Sequence, residues 1–264
     1  MSTLQASLVM FAVLLASSAA VTWYLARSES FERTRGAGWA LMLRLGAAIS
    51  GVVGTGWAYL VVVFAGAAAA PAILWPLGVL AFRVQPIIDE PGYRWLTQWN
   101  EPESVWHALN EFVTKIGDPV QCVVMVVAAS LLLAAAWRTR WWIPPLALTT
   151  ALALEWHAQQ VIGKVVARGV PPYGNGTWPS GGTARVLLIY GLIALLVMIR
   201  WPQIGRRWRI GLWSAVGLLT ASEAYSRLYL LKHWPTDLPA GLLFGVILLL
   251  TMIAGVATLI GPEA

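Results

Sequence analysis

The chain has 264 residues, of which 58% are hydrophobic and 11% charged, and its mean hydropathy is +0.68. A soluble domain usually carries about 25% charged residues, so a soluble globular fold is excluded; the lack of alternating polar and apolar positions also excludes an outer-membrane barrel. The net charge of +6 sits in short connections between apolar runs, where it reads as membrane topology, and no nucleic-acid partner is expected. The single cysteine, Cys122, allows no internal disulfide, and no Cys/His cluster points to a metal.

In chain order, residues 5–26 form the first apolar run; without a basic leader, and with more runs behind it, it reads as a retained span. Further spans are expected at 42–66, 119–137, 142–166, 183–200, 210–228 and 236–260. Residues 67–86 ("AAAAPAILWPLGVLAFRVQP") are long enough for a short span but carry two internal prolines. Without this stretch there are seven spans, and Arg27, Arg33 and Arg35 fall on the cytoplasmic side. With it there are eight, and both termini are cytoplasmic. Charge favours seven; the need for a span leading into residues 84–118 favours eight, which is the count expected here. Sixteen Trp, many beside Arg or Pro at run ends, fit an interfacial belt.

Arg138 and Arg140 in "WRTRWW", and Arg200, Arg206, Arg207 and Arg209 in "RWPQIGRRWR", mark cytoplasmic connections. The segment 84–118 carries Asp89, Glu90, Glu101, Glu103, Glu111 and Asp118 against Arg94 and Lys115. It should lie outside as short amphipathic helices on the membrane surface. The loops at 167–182 and 229–235 then share that outer face.

Three polar islands fall there. In "GKVVARGVPPYG", His157, Gln160, Lys164 and Arg168 recur at helical spacing, so the stripe is expected to turn into the bundle; the plainer alternative is snorkelling at a helix end. In "WPSGGTAR", Ser180, Gly181 and Gly182 lead into a helix whose unpaired N–H groups and positive dipole end can bind an anion. The alternative is a Gly-rich turn capped by Thr183. Arg185, in the first turn of an outward helix end, calls for an anionic partner. In "SRLYLLKHWPTD", Pro235 suits the first turn of the last span, and Asp237 follows His233 by four residues. A carboxylate holds a His in one tautomer and makes it a better base or nucleophile. Arg227 closes the preceding helix, with Glu223 one turn earlier as a simple ion-pair partner.

The last island has the form S-R-x5-H-x3-D, complete at Ser226, Arg227, His233 and Asp237. It resembles the third signature of the type 2 phosphatidic acid phosphatase (PAP2) superfamily. "WPSGG" is similar to that family's second signature, P-S-G-H, and "KVVARGVPP" to its first, K-x6-R-P; the resemblance covers roughly residues 67–255. It implies an all-α, polytopic helical membrane protein with a PAP2-like six-helix core and one or two extra N-terminal transmembrane helices. Residues 1–66 would hold those extra helices and 67–264 the phosphatase core. The resemblance further implies an extracytoplasmic site that uses neither metal nor cofactor. His233 would attack phosphorus to form a phosphohistidine and Asp237 would orient it. Lys164, Arg227, Ser180 and Gly181 would hold the phosphoryl oxygens.

The family's second-motif His, its general acid, is Gly182 here, and its first-motif Arg is Pro171. Arg168 or Arg185 could restore the positive charge, but a guanidinium donates no proton at neutral pH. Tyr173 and His107 are candidate donors on outer segments, while His157 lies too deep. Without an acid, a lipid diphosphate is the easier substrate, because its leaving group is a weak base. The expected activity is hydrolysis of a lipid (poly)phosphate, with a polyprenyl diphosphate favoured, in a multi-pass plasma or inner membrane protein of the cell envelope. Its partners would be that substrate and membrane lipids. The alternative is a pseudophosphatase that binds lipid phosphate without turnover or partners other envelope proteins. The Ala- and Arg-rich usage points to a bacterial chain.

Overall fold

The computed structural model describes residues 29–261, with side chains from residue 37 onward. Every regular element among them is helical: α1 (Glu29–Val53), α2 (Thr55–Val84), α3 (Asp89–Thr97), α4 (Val105–Val113), α5 (Pro119–Trp137), α6 (Ile143–Val166), α7 (Gly181–Arg200), α8 (Arg206–Tyr229) and α9 (Asp237–Ile260). Short 3₁₀ turns join α4 to α5 and follow α5. The protein is thus an all-α, multi-pass membrane protein. Four helices, Thr55–Val84, Pro119–Arg140, Gly181–Arg200 and Asp237–Ile260, are long and apolar enough to cross a bilayer. α6 and α8 have matching length but carry Glu155, His157, Gln159 and Lys164, or Glu223 and Arg227.

The expected spans at 42–66 and 67–86 are corrected. The chain breaks at Gly54, with φ of +82°, a left-handed conformation that glycine adopts without steric cost. Beyond it, α2 runs unbroken for 30 residues through Pro71 and Pro76. At 1.5 Å per residue that is about 45 Å, more than the roughly 30 Å of bilayer hydrocarbon, so this one helix is long enough to cross and joins the second half of one expected span to nearly all of the next. Membrane helices tolerate such prolines because neighbouring groups re-satisfy the freed carbonyls. Residue 66, the expected domain boundary, lies inside α2. The run at 5–26 and Arg27 lie outside the described residues, and Arg33 and Arg35 fall in α1, where only backbone is described.

α9 is the hub. It packs along α2 and α7, and α1 lies against its far half. The core is filled by Phe244, Leu248 and Met252 of α9 with Leu188, Leu192 and Leu196 of α7 and Leu148 of α6, each under 2% exposed. Lipid tails are as apolar as leucine, so these helices associate through close packing more than through burial from water. Gly241 shows the closeness: a Cβ there would lie 2.5 Å from the Ser180 carbonyl oxygen. That contact seats the start of α7 against the start of α9.

Residues 84–118 form a cap over this end of the bundle. Both cap helices are short and amphipathic, and Ser104 caps α4 by accepting from the His107 amide at 3.1 Å. Tyr93 and Leu96 of α3 pack on Leu231 and Trp234, and Trp106 of α4 packs on Tyr225 and Tyr229 of α8. An apolar cavity of about 580 Å³ lies at the opposite end, between α1, α7, α8 and α9. It is remote from every polar island.

Candidate phosphate site under the cap

α6 ends at Val166 because Ala167 takes the left-handed conformation, and Gly169, Pro171 and Pro172 follow. Arg168 therefore leaves the helical stripe and turns under the cap, 5% exposed. The rest of that stripe does not face the bundle: His157, Gln160 and Lys164 are exposed, while Leu154, Glu155, Ala158 and Ile162 face inward. The expectation of an inward His157–Gln160–Lys164 face is corrected, and Lys164 stands apart from the other candidates. The inward face is set by Glu155, which needs a buried cation.

Arg168 is a clamp. Its Nη1 donates to Asp237 Oδ1 at 2.9 Å and to Thr236 Oγ1 at 2.7 Å. Its Nε donates to Gln85 Oε1 at 3.1 Å, and its Nη2 pairs with Asp89 Oδ2. Asp89 in turn accepts from the Thr236 amide at 2.8 Å and the Thr236 hydroxyl at 2.9 Å. The guanidinium also lies 5.6 Å and 5.9 Å from the ring centroids of Trp178 and Trp234, an arrangement favourable for a cation over aromatic faces. One cation thus ties the first residue of α3 to the first residue of α9.

The other oxygen of Asp237, Oδ2, accepts from the Trp234 amide at 3.0 Å and lies 3.1 Å from His233 Nδ1. A carboxylate so surrounded by donors is an acceptor, so Nδ1 carries a proton, and in the neutral ring the Nε2 lone pair is left for chemistry. α9 begins at Asp237 with Pro235 in the turn before it, one residue later than the expected span start at 236. His233 is 4% exposed, beneath the loop that leads into α7. Gly176 is essential there, because a Cβ on it would come within 2.5 Å of Nε2.

Helix α7 starts at Gly181 with Ser180 at the cap position, not Thr183. The Ser180 amide is already committed to the Asp237 carbonyl at 3.0 Å, and its hydroxyl pairs with that of Thr183 at 3.1 Å. Any anion at this helix end is therefore met by amides from Gly181 onward. Arg185 has found its anionic partner within the protein. It holds Glu155 with Nε at 2.7 Å and Nη2 at 3.1 Å, and donates to the Gly117 carbonyl at 2.6 Å. Arg227 is shared between Glu223 and Asp118, each at 2.6 Å.

The structure thus joins Arg168, His233, Asp237 and Ser180 directly and sets Arg227 beside Gly182. Arg185 sits one layer away, beside Gln159, whose amide fills the space next to Gly181. Lys232 adds a cation from the connecting loop. Burial, then the nearby Arg227, push its ammonium pKa down. Asp89, Thr236, Gln85, Glu155, Asp118 and Gly176 were not singled out from sequence as site residues. Of these, only Asp89 and Asp118 carried a signal, as acids bounding the cap.

No family model and no curated protein matches the chain. Among solved structures, the chain is similar to the protein described as the first transmembrane PAP2 type phosphatidylglycerolphosphate phosphatase from Bacillus subtilis. The match has a TM-score of 0.61 at 18% identity and covers 70% of this chain and 92% of that one. At that identity the likeness is one of fold: this chain is a helical membrane protein with a PAP2-like fold.

Proposed function

We propose that the protein is a PAP2-type membrane lipid phosphatase that hydrolyses a lipid phosphate or diphosphate through a phosphohistidine at His233. The observation that carries this is the buried chain Arg168–Asp237–His233, which supports an Nδ1–H tautomer and so Nε2 as the attacking atom. Asp237 stabilises the ring as it becomes cationic. The N-terminal amides of α7, with Arg227 and Lys232 nearby, are the groups to receive phosphoryl oxygens. The fold of the Bacillus subtilis phosphatase supports the reading. Arg138, Arg140, Arg200 and Arg206 fall at the bundle end opposite the cap, which supports an extracytoplasmic site in a bacterial plasma membrane. Position 182 has no imidazole, so polyprenyl diphosphates, whose leaving group departs without a proton, are the most readily cleaved class.

The competing reading is a lipid-phosphate-binding pseudophosphatase. One observation favours it: Arg168 and Arg227 in the site, and Arg185 one layer behind it, are all paired with carboxylates. Phosphate release from a panel of lipid monophosphates and diphosphates, by purified protein and by His233→Ala, separates the two. Turnover by the wild type and none by the variant supports the enzyme. A vanadate-induced thermal shift without turnover supports the binder.

A further inference from the structure

Gly182 leaves room for a side chain that comes from elsewhere. A Cβ on residue 182 would lie 2.5 Å from Glu223 Oε1 and 2.8 Å from Arg227 Nε. On the other side of the same carboxyl, a Cβ on Gly117 would also strike Glu223. The Glu223 carboxyl, 0% exposed, is thus wedged between two glycines in the space where a side chain at 182 would begin. Its two oxygens differ. Oε1 accepts from Arg227 Nε at 2.6 Å, whereas Oε2 is buried with no hydrogen-bond partner. Arg227 also serves Asp118, so one guanidinium faces two carboxyls. Lys232 is a second cation near this pair and Asp118 is partly exposed, so the cost falls on the fully enclosed Glu223 carboxyl, and a proton on Oε2 lowers the cost of burying it.

Resting on the phosphohistidine reading above, we infer that Glu223 is the general acid of this site, replacing the imidazole absent at position 182. In the first half-reaction, His233 Nε2 forms a bond to phosphorus as the bond to the bridging oxygen breaks. That oxygen leaves with the electron pair and takes the Oε2 proton, and the new carboxylate is held by Arg227. In the second half, water attacks the phosphohistidine, gives its proton to Glu223, and the N–P bond breaks to release phosphate. The donors considered from sequence are placed less well. Tyr173 is 77% exposed and stacks on Tyr93, and His107 lies in the cap against Tyr229 with Glu111 at 3.8 Å. With Glu223 as acid, lipid monophosphates become substrates as well as diphosphates.

The test uses leaving groups. Purified full-length protein is assayed on a lipid monophosphate, which must expel an alkoxide, and on a nitrophenyl phosphate, whose leaving group needs no proton. Glu223→Gln should lose roughly 10²- to 10⁴-fold on the lipid monophosphate and at least tenfold less on the aryl ester. Glu223→Asp, which keeps a carboxyl but withdraws it, should show the same selective loss if the Gln variant does not fold. Equal losses on both esters, or no loss, would overturn the assignment, as would a wild type that cleaves diphosphates but no lipid monophosphate. Activity that survives in His233→Ala would instead defeat the phosphohistidine reading itself.

Discussion

Replacing Arg168 by Met removes the one cation between two buried carboxylates. The Asp89 and Asp237 side chains are 0% and 1% exposed, so neither can recover its charge stabilisation from water. Asp89 keeps two bonds from Thr236, and Asp237 keeps the Trp234 amide and His233. What is lost is the counter-charge for both. Breaking one buried pair costs about 3–5 kcal/mol, and here one cation serves two acids, so the upper part of that range is expected. Arg168→Lys should not restore it, because a point charge cannot reach Gln85, Thr236, Asp89 and Asp237 from one position as the planar fork does. Adding Asp89→Asn to Arg168→Met should recover roughly half of the loss, since one orphaned charge is gone. Equilibrium unfolding in detergent micelles gives these values directly. An Arg168→Met protein within about 1 kcal/mol of wild type would refute the view that this clamp holds the cap to the start of α9.

Gly176→Ala should leave the fold in place but abolish turnover, because its Cβ lies against the His233 ring; a phosphate-release assay beside a melting curve checks both halves. Gly182→His, which looks from sequence like a repair of the second motif, should reduce activity, since even its Cβ collides with Glu223 and Arg227. For Lys232, whose folded pKa is lowered from 10.5 by burial and Arg227, the unfolded state binds more protons between the two values, so stability rises with pH across that window. Lys232→Met should then be more stable than wild type at neutral pH, with the gap closing as pH approaches 10.5 in unfolding titrations. Cysteines introduced at Ser104 in the cap and Asn175 in the 167–180 loop should react with an impermeant reagent in intact cells, and one at Arg207 should not.

Helix type and membrane character were legible because they depend on composition and run length, which any window of sequence reports. The His233–Asp237 pair was legible because both partners lie within one turn, and Glu223–Arg227 for the same reason. Arg168–Asp89 and Arg185–Glu155 join residues 79 and 30 positions apart, and no local period encodes them. The stripe on α6 misled because helical spacing alone does not say which face turns inward; Glu155 decided it by pairing with Arg185. The prolines of α2 misled because they end helices in water more readily than in a membrane. Gly182 read as a deletion of chemistry because a sequence shows the missing side chain and not the neighbour that fills its space.

The account turns on His233 as nucleophile. Rapid-quench mixing with a lipid diphosphate labelled at its terminal phosphate should trap a labelled protein whose label is acid-labile and alkali-stable. After proteolysis the label should map to the peptide holding His233, and it should be absent from His233→Ala. Turnover of that substrate with no label on His233, or turnover that persists in His233→Ala, would contradict it.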